Sequence, residues 1–455
     1  MQVLFAQKSV HQNVKTPNII IILADDLGWN DVSLHGSEIK TPNIDALIKS
    51  GIKLNRFYVA PICSPTRAGL LTGKYPNRFG LRDYVISPVV KYGLPPQEVT
   101  IAEALAKAGY KHRGAFGKWH LGHSSKKYHP LQQGFTFYYG HYNGAIDYFT
   151  HNRSYQLDWH RNYEPSFDKG YSTDLIANEV IEFIHEKSKG PEPFFAYVPF
   201  NAPHAPMQAK HEHLLQYGFD PDRPLLQIGN NPSNRGYNES DPGYGAQGNG
   251  NSVRQTYAAM VASLDENIGR IIEYLDKNSL RENTIIWFMS DNGGEEKMGG
   301  NNFPLRGQKY SEWEGGVRVI SSISWPEKIK AGGICNELTA YIDVLPTLLN
   351  LVGGTDNIKR DGINIWPAIS DNTTLKRDLF LGGDAVVNKE WKLNKGELFR
   401  IDEDPNEKNN LAGTNLQQLR VMLQLLEEFK KINITLKPER QPTGWKAPVY
   451  WNIPD

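Results

Sequence analysis

Short unbroken apolar runs alternate along the chain with amphipathic ones. Asn18 to Leu23 is apolar and β-branched without polar alternation, which fits a strand buried on both faces of a sheet. Phe194 to Phe200 and Thr284 to Ser290 read the same way. Between these runs lie helices. Thr41 serves as an N-cap, Pro42 as the first helical residue and Gly51 as a stop. Val99 to Ala108 forms a second helix, ended by Gly109. Tyr257 to Leu275 carries Met260, Val261, Leu264, Ile268, Ile271, Ile272 and Leu275 at helical spacing. Strands alternating with helices predict an α/β fold whose large sheet is mostly parallel and flanked by helices. After about Gly354 the pattern thins into short strands at Leu379 to Leu381, Trp391 to Leu393 and Glu397 to Ile401, followed by a helix at Leu416 to Lys431. The chain thus divides into a large domain over residues 15–355 and a small C-terminal α+β subdomain over residues 356–455, with a short antiparallel sheet and a helix. Gly218 to Ser252, rich in Gly, Asn, Pro and Tyr, is a loop long enough to suggest a functional rim.

Composition narrows the classes. The 50 acidic residues balance the 50 basic ones, so the chain lacks the basic excess of a nucleic-acid binder. No apolar stretch has the length of a membrane-spanning helix. The two cysteines, Cys63 and Cys335, build neither a disulfide framework nor a zinc knuckle. Met1 to Gln7 lacks a basic start and a full apolar stretch, and reads as the stump of a trimmed export signal or as an artificial start. The expectation is a secreted or periplasmic protein.

Chemistry gathers where the predicted strands stop. Asp25-Asp26, His204 and Asp291-Asn292 follow three of them. In open α/β sheets, ligands bind just beyond the carboxyl ends of the strands, so residues far apart in sequence can share one site. Three carboxylates and an amide oxygen suit a hard cation such as calcium or magnesium better than zinc. Each of these segments is also an ordinary turn sequence. Cys63 sits in Pro61-Ile62-Cys63-Ser64-Pro65-Thr66-Arg67, with Arg67 one helical turn on, where a cation favours an anion at position 63.

Cys63-x-Pro65-x-Arg67, followed by Leu70-Leu71-Thr72-Gly73, resembles the signature of the type I, formylglycine-dependent sulfatases, within the alkaline phosphatase superfamily. Further segments match that family in order: Ala24 to Gly28, Thr41 to Asp45, Gly117 to Gly122, Pro203 to Pro206, Ser290 to Gly294, Asn302 to Lys309, and Asp404 to Leu411. One departure is a second signature one residue longer than usual, at Gly109 to Lys118, with His112 in place of Thr. The resemblance implies an alkaline phosphatase-like fold. It also implies conversion of Cys63 to formylglycine (3-oxoalanine) by a formylglycine-generating enzyme, and a calcium ion held by Asp25, Asp26, Asp291 and Asn292 beside residue 63.

The same resemblance implies the catalytic roles. Arg67, Lys118 and Lys309 supply positive charge, Asp291 acts as base for the attacking hydroxyl, and His204 or Lys309 protonates the leaving alcohol. His120 serves the second hydroxyl. Lys118, His204 and Lys309 also belong to the expected substrate contacts, together with His141, Asp147, His151 and Arg306. Gly134 to Tyr163 is dense in aromatic residues interleaved with polar ones, as sugar recognition requires. This segment and Asn302 to Arg318 look most like the arylsulfatase B branch, which implies a sulfated carbohydrate or polysaccharide as substrate, with galactose or N-acetylgalactosamine 4-sulfate favoured. Two rival readings are a phosphate-ester hydrolase of the same superfamily and a non-catalytic binder of sulfated glycans.

Overall fold

The computed structural model describes residues 15–226, 247–436, 439 and 441–454. Met1 to Gln7, the middle of the predicted Gly218–Ser252 loop and part of the C-terminal tail lie outside these residues.

A ten-stranded sheet runs through the large domain. Its middle consists of Thr284–Ser290, Asn18–Ala24, Phe194–Pro199, His112–Lys118 and Phe137–His141, all parallel and in that spatial order. The flanks depart from the parallel pattern. Ser321–Ser324 pairs antiparallel with Thr284–Ser290, and His160–Arg161 pairs antiparallel with Phe137–His141. The sheet is therefore mixed, all parallel where the apolar runs are longest and of both senses where strands shrink to a few residues, since Gly333–Cys335 pairs parallel with Ile52–Leu54.

The unbroken apolar run at Asn18–Ala24 is explained by its surroundings. Ile19, Ile21 and Leu23 enter one hydrophobic cluster, and Ile20 and Ile22 enter another on the opposite face. The period-two alternation of a strand thus serves two cores. Burial of each isoleucine contributes about 1.5–3 kcal/mol. The first face packs against the helices Cys63–Thr72, Ile101–Lys107 and Val344–Leu351. The second packs against Pro42–Lys49, Ser172–Lys187 and Val253–Lys277. At Ile101–Lys107 the Thr100 side chain accepts from Glu103 N while Glu103 reaches back to Thr100 N, a reciprocal cap that fixes the helix start.

Near the C-terminus, a four-stranded antiparallel sheet comprises Leu379–Gly382, Ala385–Val387, Trp391–Asn394 and Glu397–Arg400. The helix Leu416–Lys430 buries Met422 and Leu426 in the same core. Ala385–Val387 has no counterpart in the sequence reading. The buried Lys392 bridges Glu314 and Glu407, at 2.9 Å each, and ties this sheet to the large domain. The chain then turns back. Lys126 N donates to Pro454 O at 2.9 Å, and Trp451 Nε1 to Arg153 O at 3.0 Å, so the last described residues lie against the large domain.

Candidate active site

Register brings the acidic residues together. Ala24 pairs with Ser290 across neighbouring parallel strands, so Asp25 and Asp291 leave the sheet side by side. Asp291 N donates to Ala24 O, and Asp26 N to Asp291 Oδ1. Asp26 holds a left-handed backbone, φ 67°, which reverses the chain directly after the strand. Lys118 ends its own strand two places along the same edge. The strand of the Gly109–Lys118 segment begins at His112 and keeps Lys118 in register with His141.

Cys63 opens a ten-residue helix of which every residue is buried. Pro65 is tolerated because it lies in the first turn, where a backbone N–H has no helical partner. Arg67 lies one turn further, fully buried, and its fork is committed: Nε and Nη2 donate to Asp291 Oδ2 at 3.1 and 2.8 Å, and Nη1 to Lys118 O at 2.8 Å. Arg67 therefore fixes Asp291 and the Lys118 backbone as well as supplying charge.

Two further cations enter ion pairs. Lys118 Nζ donates to Asp25 Oδ2 at 2.7 Å, and Lys309 Nζ to Asp26 Oδ2 at 2.6 Å. Asn292 Nδ2 donates to Asp26 Oδ1 at 2.7 Å. Three buried carboxylates thus face three buried cations. Burial opposes ionisation of Asp26, but Lys309, His204 and Lys118 overcome it and hold its carboxyl well below the usual range. Burial, then the charge of Asp25, pushes Asp291 up to about 7 despite Arg67.

Burial and neighbouring cations disfavour protonation of both site histidines. Burial, then Lys118 and Arg67, holds His120 well below the usual imidazole range. His120 has φ 56°, and its ring packs so closely on Gly144 that a Cβ there would lie 2.5 Å away. Ser64 Oγ donates to His120 O at 2.9 Å and pins the strained backbone to the Cys63 helix. Burial, then Lys309 and Lys118, lowers His204 to about 3. Its Nδ1 donates to Ala205 O at 2.7 Å, leaving Nε2 3.7 Å from Asp26 Oδ2.

The donors fit a hard cation. Among the described residues, Asn292 Oδ1 is buried without a hydrogen-bond donor, and Asp25 Oδ1 is buried with only Arg67 Nη2 nearby, at 3.5 Å. Buried oxygens in that condition call for a partner, and a calcium-type ion satisfies them. One ligand atom each from Asp25, Cys63 and Asp291 lie within 4.8 Å of one another, as do single atoms of Asp25, Asp26 and His204. Cys63 itself is a poor nucleophile as a thiol. Burial, opposed only in part by Lys118 and Lys309, pushes it up and keeps it protonated.

Of these residues, Cys63, His120, His204 and Lys309 line the inner end of a cavity of about 830 Å³, whereas Asp25, Asp26, Arg67, Lys118, Asp291 and Asn292 are buried off its lining. Five expected substrate contacts are not on its lining. Lys118 is fully buried and held by Asp25. His141 is fully buried, with its Nδ1 on Asn143 O and its ring stacked on Trp159. Asp147 is fully buried and clasps the backbone of Phe149 and Thr150. His151 is buried against Gly170 O and Trp159. Arg306 lies on Trp313 at 3.6 Å and pairs with Glu397. The aromatic run is likewise mostly core: Phe135, Tyr138, Tyr139, Tyr142, Tyr148 and Trp159 are buried. The residues of that segment on the cavity are Gly144, Arg153, Ser154, Tyr155 and Gln156. Among the described residues, none of 218–252 lines the cavity. That place is taken by the C-terminal tail, with Trp445, Lys446, Ala447 and Val449, which sequence reasoning missed.

Known proteins resemble this chain along most of its length. The sulfatase family model matches residues 17–354. Arylsulfatase J of Mus musculus is 35% identical over 386 residues, which are 82% of this chain and 59% of that protein's length. The N-acetylgalactosamine-6-sulfatase of Canis lupus familiaris is 31% identical over 450 residues, with 90% of this chain and 79% of that protein covered. Among solved structures, Ps i-CgsB superposes with a TM-score of 0.80 at 32% identity, covering 92% of this chain and 94% of its own. The same protein in complex with k-i-k-neocarrahexaose gives 0.79 at 31% identity, with 95% of each chain covered. The chain belongs to the sulfatase family.

Proposed function

We propose that this protein hydrolyses sulfate esters on a carbohydrate, with residue 63 converted to formylglycine and a calcium ion beside it. The observation that carries the reading is the convergence of Asp25, Asp26, Asp291 and Asn292 with Arg67, Lys118 and Lys309 around Cys63, at the inner end of a cavity. Asp25, Asp26, Asp291 and Asn292 would hold the cation. When bound, it supplies positive charge to the sulfate oxygens and lowers the pKa of a neighbouring hydroxyl. The modified residue, once hydrated, supplies two hydroxyls on one carbon, one to attack sulfur and the other to release sulfate.

The remaining steps belong to the chain's own side chains. Asp291 accepts the proton of the attacking hydroxyl, and Arg67 holds its Oδ2 in place. Lys118 and Lys309 screen the negative charge that grows on the ester oxygens as the S–O bond breaks. With every group ionised, Asp25, Asp26 and Asp291 offset Arg67, Lys118 and Lys309 in formal charge. A divalent ion adds two positive charges, which matches an entering anion. His204 meets the leaving oxygen through Nε2, because Nδ1 is occupied by Ala205 O. It carries a proton only after the substrate's negative charge has raised its low pKa. His120, neutral and fixed by Ser64 and Gly144, takes the proton of the second hydroxyl.

The carbohydrate class is supported by the named relatives, which include a sulfatase of N-acetylgalactosamine and a protein solved with a neocarrahexaose. Within that class we favour galactose-type sugars sulfated at position 4, on the likeness of the Gly134–Tyr163 and Asn302–Arg318 segments to arylsulfatase B. Export from the cytoplasm and maturation by a formylglycine-generating enzyme belong to the same proposal. The test is sulfate release from a panel of defined sulfated saccharides by the wild type and by Cys63→Ala. The wild type should release sulfate, and Cys63→Ala should release none while melting at the same temperature. Undiminished turnover by the variant would refute the mechanism.

A further inference from the structure

The reacting groups occupy only the inner end of the cavity. Its volume of about 830 Å³ lies in the upper part of the roughly 300–1,000 Å³ range of small-ligand sites, ample for more than a single sugar ring. Residues 85–89, Glu295, Met298, Tyr310 and Glu439 also line the cavity, and one part of its wall is built by two segments nearly 300 residues apart, both held in place.

The first is a short hairpin, Asn152–Arg153 paired with Gln156–Leu157. Its turn residues Ser154 and Tyr155 have φ 48° and 65°. Both central residues are left-handed, as in the tight turns that match the twist of paired strands. The turn presents the Tyr155 ring, which is 65% exposed. The second segment is the C-terminal tail. Trp451 Nε1 donates to Arg153 O at 3.0 Å, and Tyr450 N to Gln156 Oε1 at 3.2 Å. The His160 ring contacts Tyr450 O at 2.9 Å. Trp445 packs on the buried Trp451, with ring centroids 6.0 Å apart. The tail is therefore clamped onto the hairpin, and it carries Lys446, which is exposed and makes no ion pair among the described residues.

An exposed ring, a half-buried indole and an exposed ammonium line the same cavity as the sulfate-cleaving groups. Aromatic faces suit the C–H faces of a sugar, and a cation suits a sulfate or carboxylate on it. We propose that this wall is a second sugar subsite. Tyr155 and Trp445 hold the unit next to the one being desulfated, and Lys446 meets a negative group on that neighbour. The inference rests on the sulfatase reading and deepens it, because it makes a sulfated oligosaccharide the preferred substrate over a monosaccharide.

Steady-state kinetics on a small aryl sulfate and on a sulfated galactan tetrasaccharide test it, for the wild type, Tyr155→Ala, Trp445→Ala and Lys446→Gln. The variants should raise KM for the tetrasaccharide roughly tenfold, the worth of one good contact. The kcat should stay within about twofold, and turnover of the aryl sulfate should not change. Tyr155→Ala is the decisive variant, since its exposed ring carries no core packing, whereas Trp445→Ala also loosens the tail. Tetrasaccharide affinity, measured by calorimetry in the Cys63→Ala background, should fall by the same factor. An unchanged tetrasaccharide KM and affinity, or an equal loss on both substrates, would overturn the subsite in favour of a wall that only clamps the tail. Absence of sulfate release by the wild type from either substrate would defeat the sulfatase reading instead, and calorimetry would still decide the wall.

Discussion

The inner end of the cavity and its outer wall are built in opposite ways. At the inner end, the functional residues other than Lys309, which stands on the loop between Met298 and Glu314, lie within a few positions of a long buried strand or in the first turns of a fully buried helix. Asp25, Lys118 and Asp291 inherit their positions from strand register, and the backbone leaves them little freedom. The wall has no such frame. It consists of a two-residue turn and a tail segment joined by side chain to backbone bonds such as Trp451 Nε1 to Arg153 O. The difference teaches that the sheet places the inner residues, whereas the proposed sugar subsite rests on segments whose sequence can change without disturbing the sheet.

The comparison breaks most visibly at Asp25. Asp25→Asn keeps the shape and removes one of three cation-binding charges. It should lower kcat by roughly 10³-fold or more, with calcium lost from the purified protein by elemental analysis. Next comes the ion itself. Adding calcium to chelator-treated protein should stabilise the fold by about 2.7 kcal/mol at a hundredfold excess over Kd, read as a rise in melting temperature that Asp25→Asn does not show. A smaller effect is expected at Gly144, where a methyl group must displace the His120 ring. Gly144→Ala should cost roughly 10²-fold in kcat, the worth of one proton-transfer group, with KM nearly unchanged. The wall variants, at roughly tenfold in KM alone, complete the series. A wall variant that lowered kcat for the aryl sulfate, or a Gly144→Ala change confined to KM, would erase the distinction.

The same contrast explains what the sequence made readable. Thr284–Ser290 was legible to the residue, and Asn18–Ala24 nearly so, because strands buried on both faces need unbroken apolar runs. The acidic pairs were legible because they directly follow those runs. The antiparallel flanks were not, since strands such as His160–Arg161 and Glu164–Pro165 are too short to carry a period. The aromatic density of Gly134 to Tyr163 misled for a physical reason: the same rings suit a sugar or a core, and here the buried Tyr138, Tyr142 and Trp159 pack around His129, His141 and His160. The placement of Trp445 to Trp451 was invisible because it depends on partners far away in sequence, with no local pattern to announce it.

The central claim is that residue 63 acts as an aldehyde beside a divalent cation and not as a thiol. Mass spectrometry of the peptide spanning residue 63, taken from preparations of different specific activity, tests it directly. The account predicts that activity rises in proportion to the fraction carrying formylglycine and vanishes where the thiol is intact. Full activity from protein whose Cys63 is entirely unmodified would contradict it.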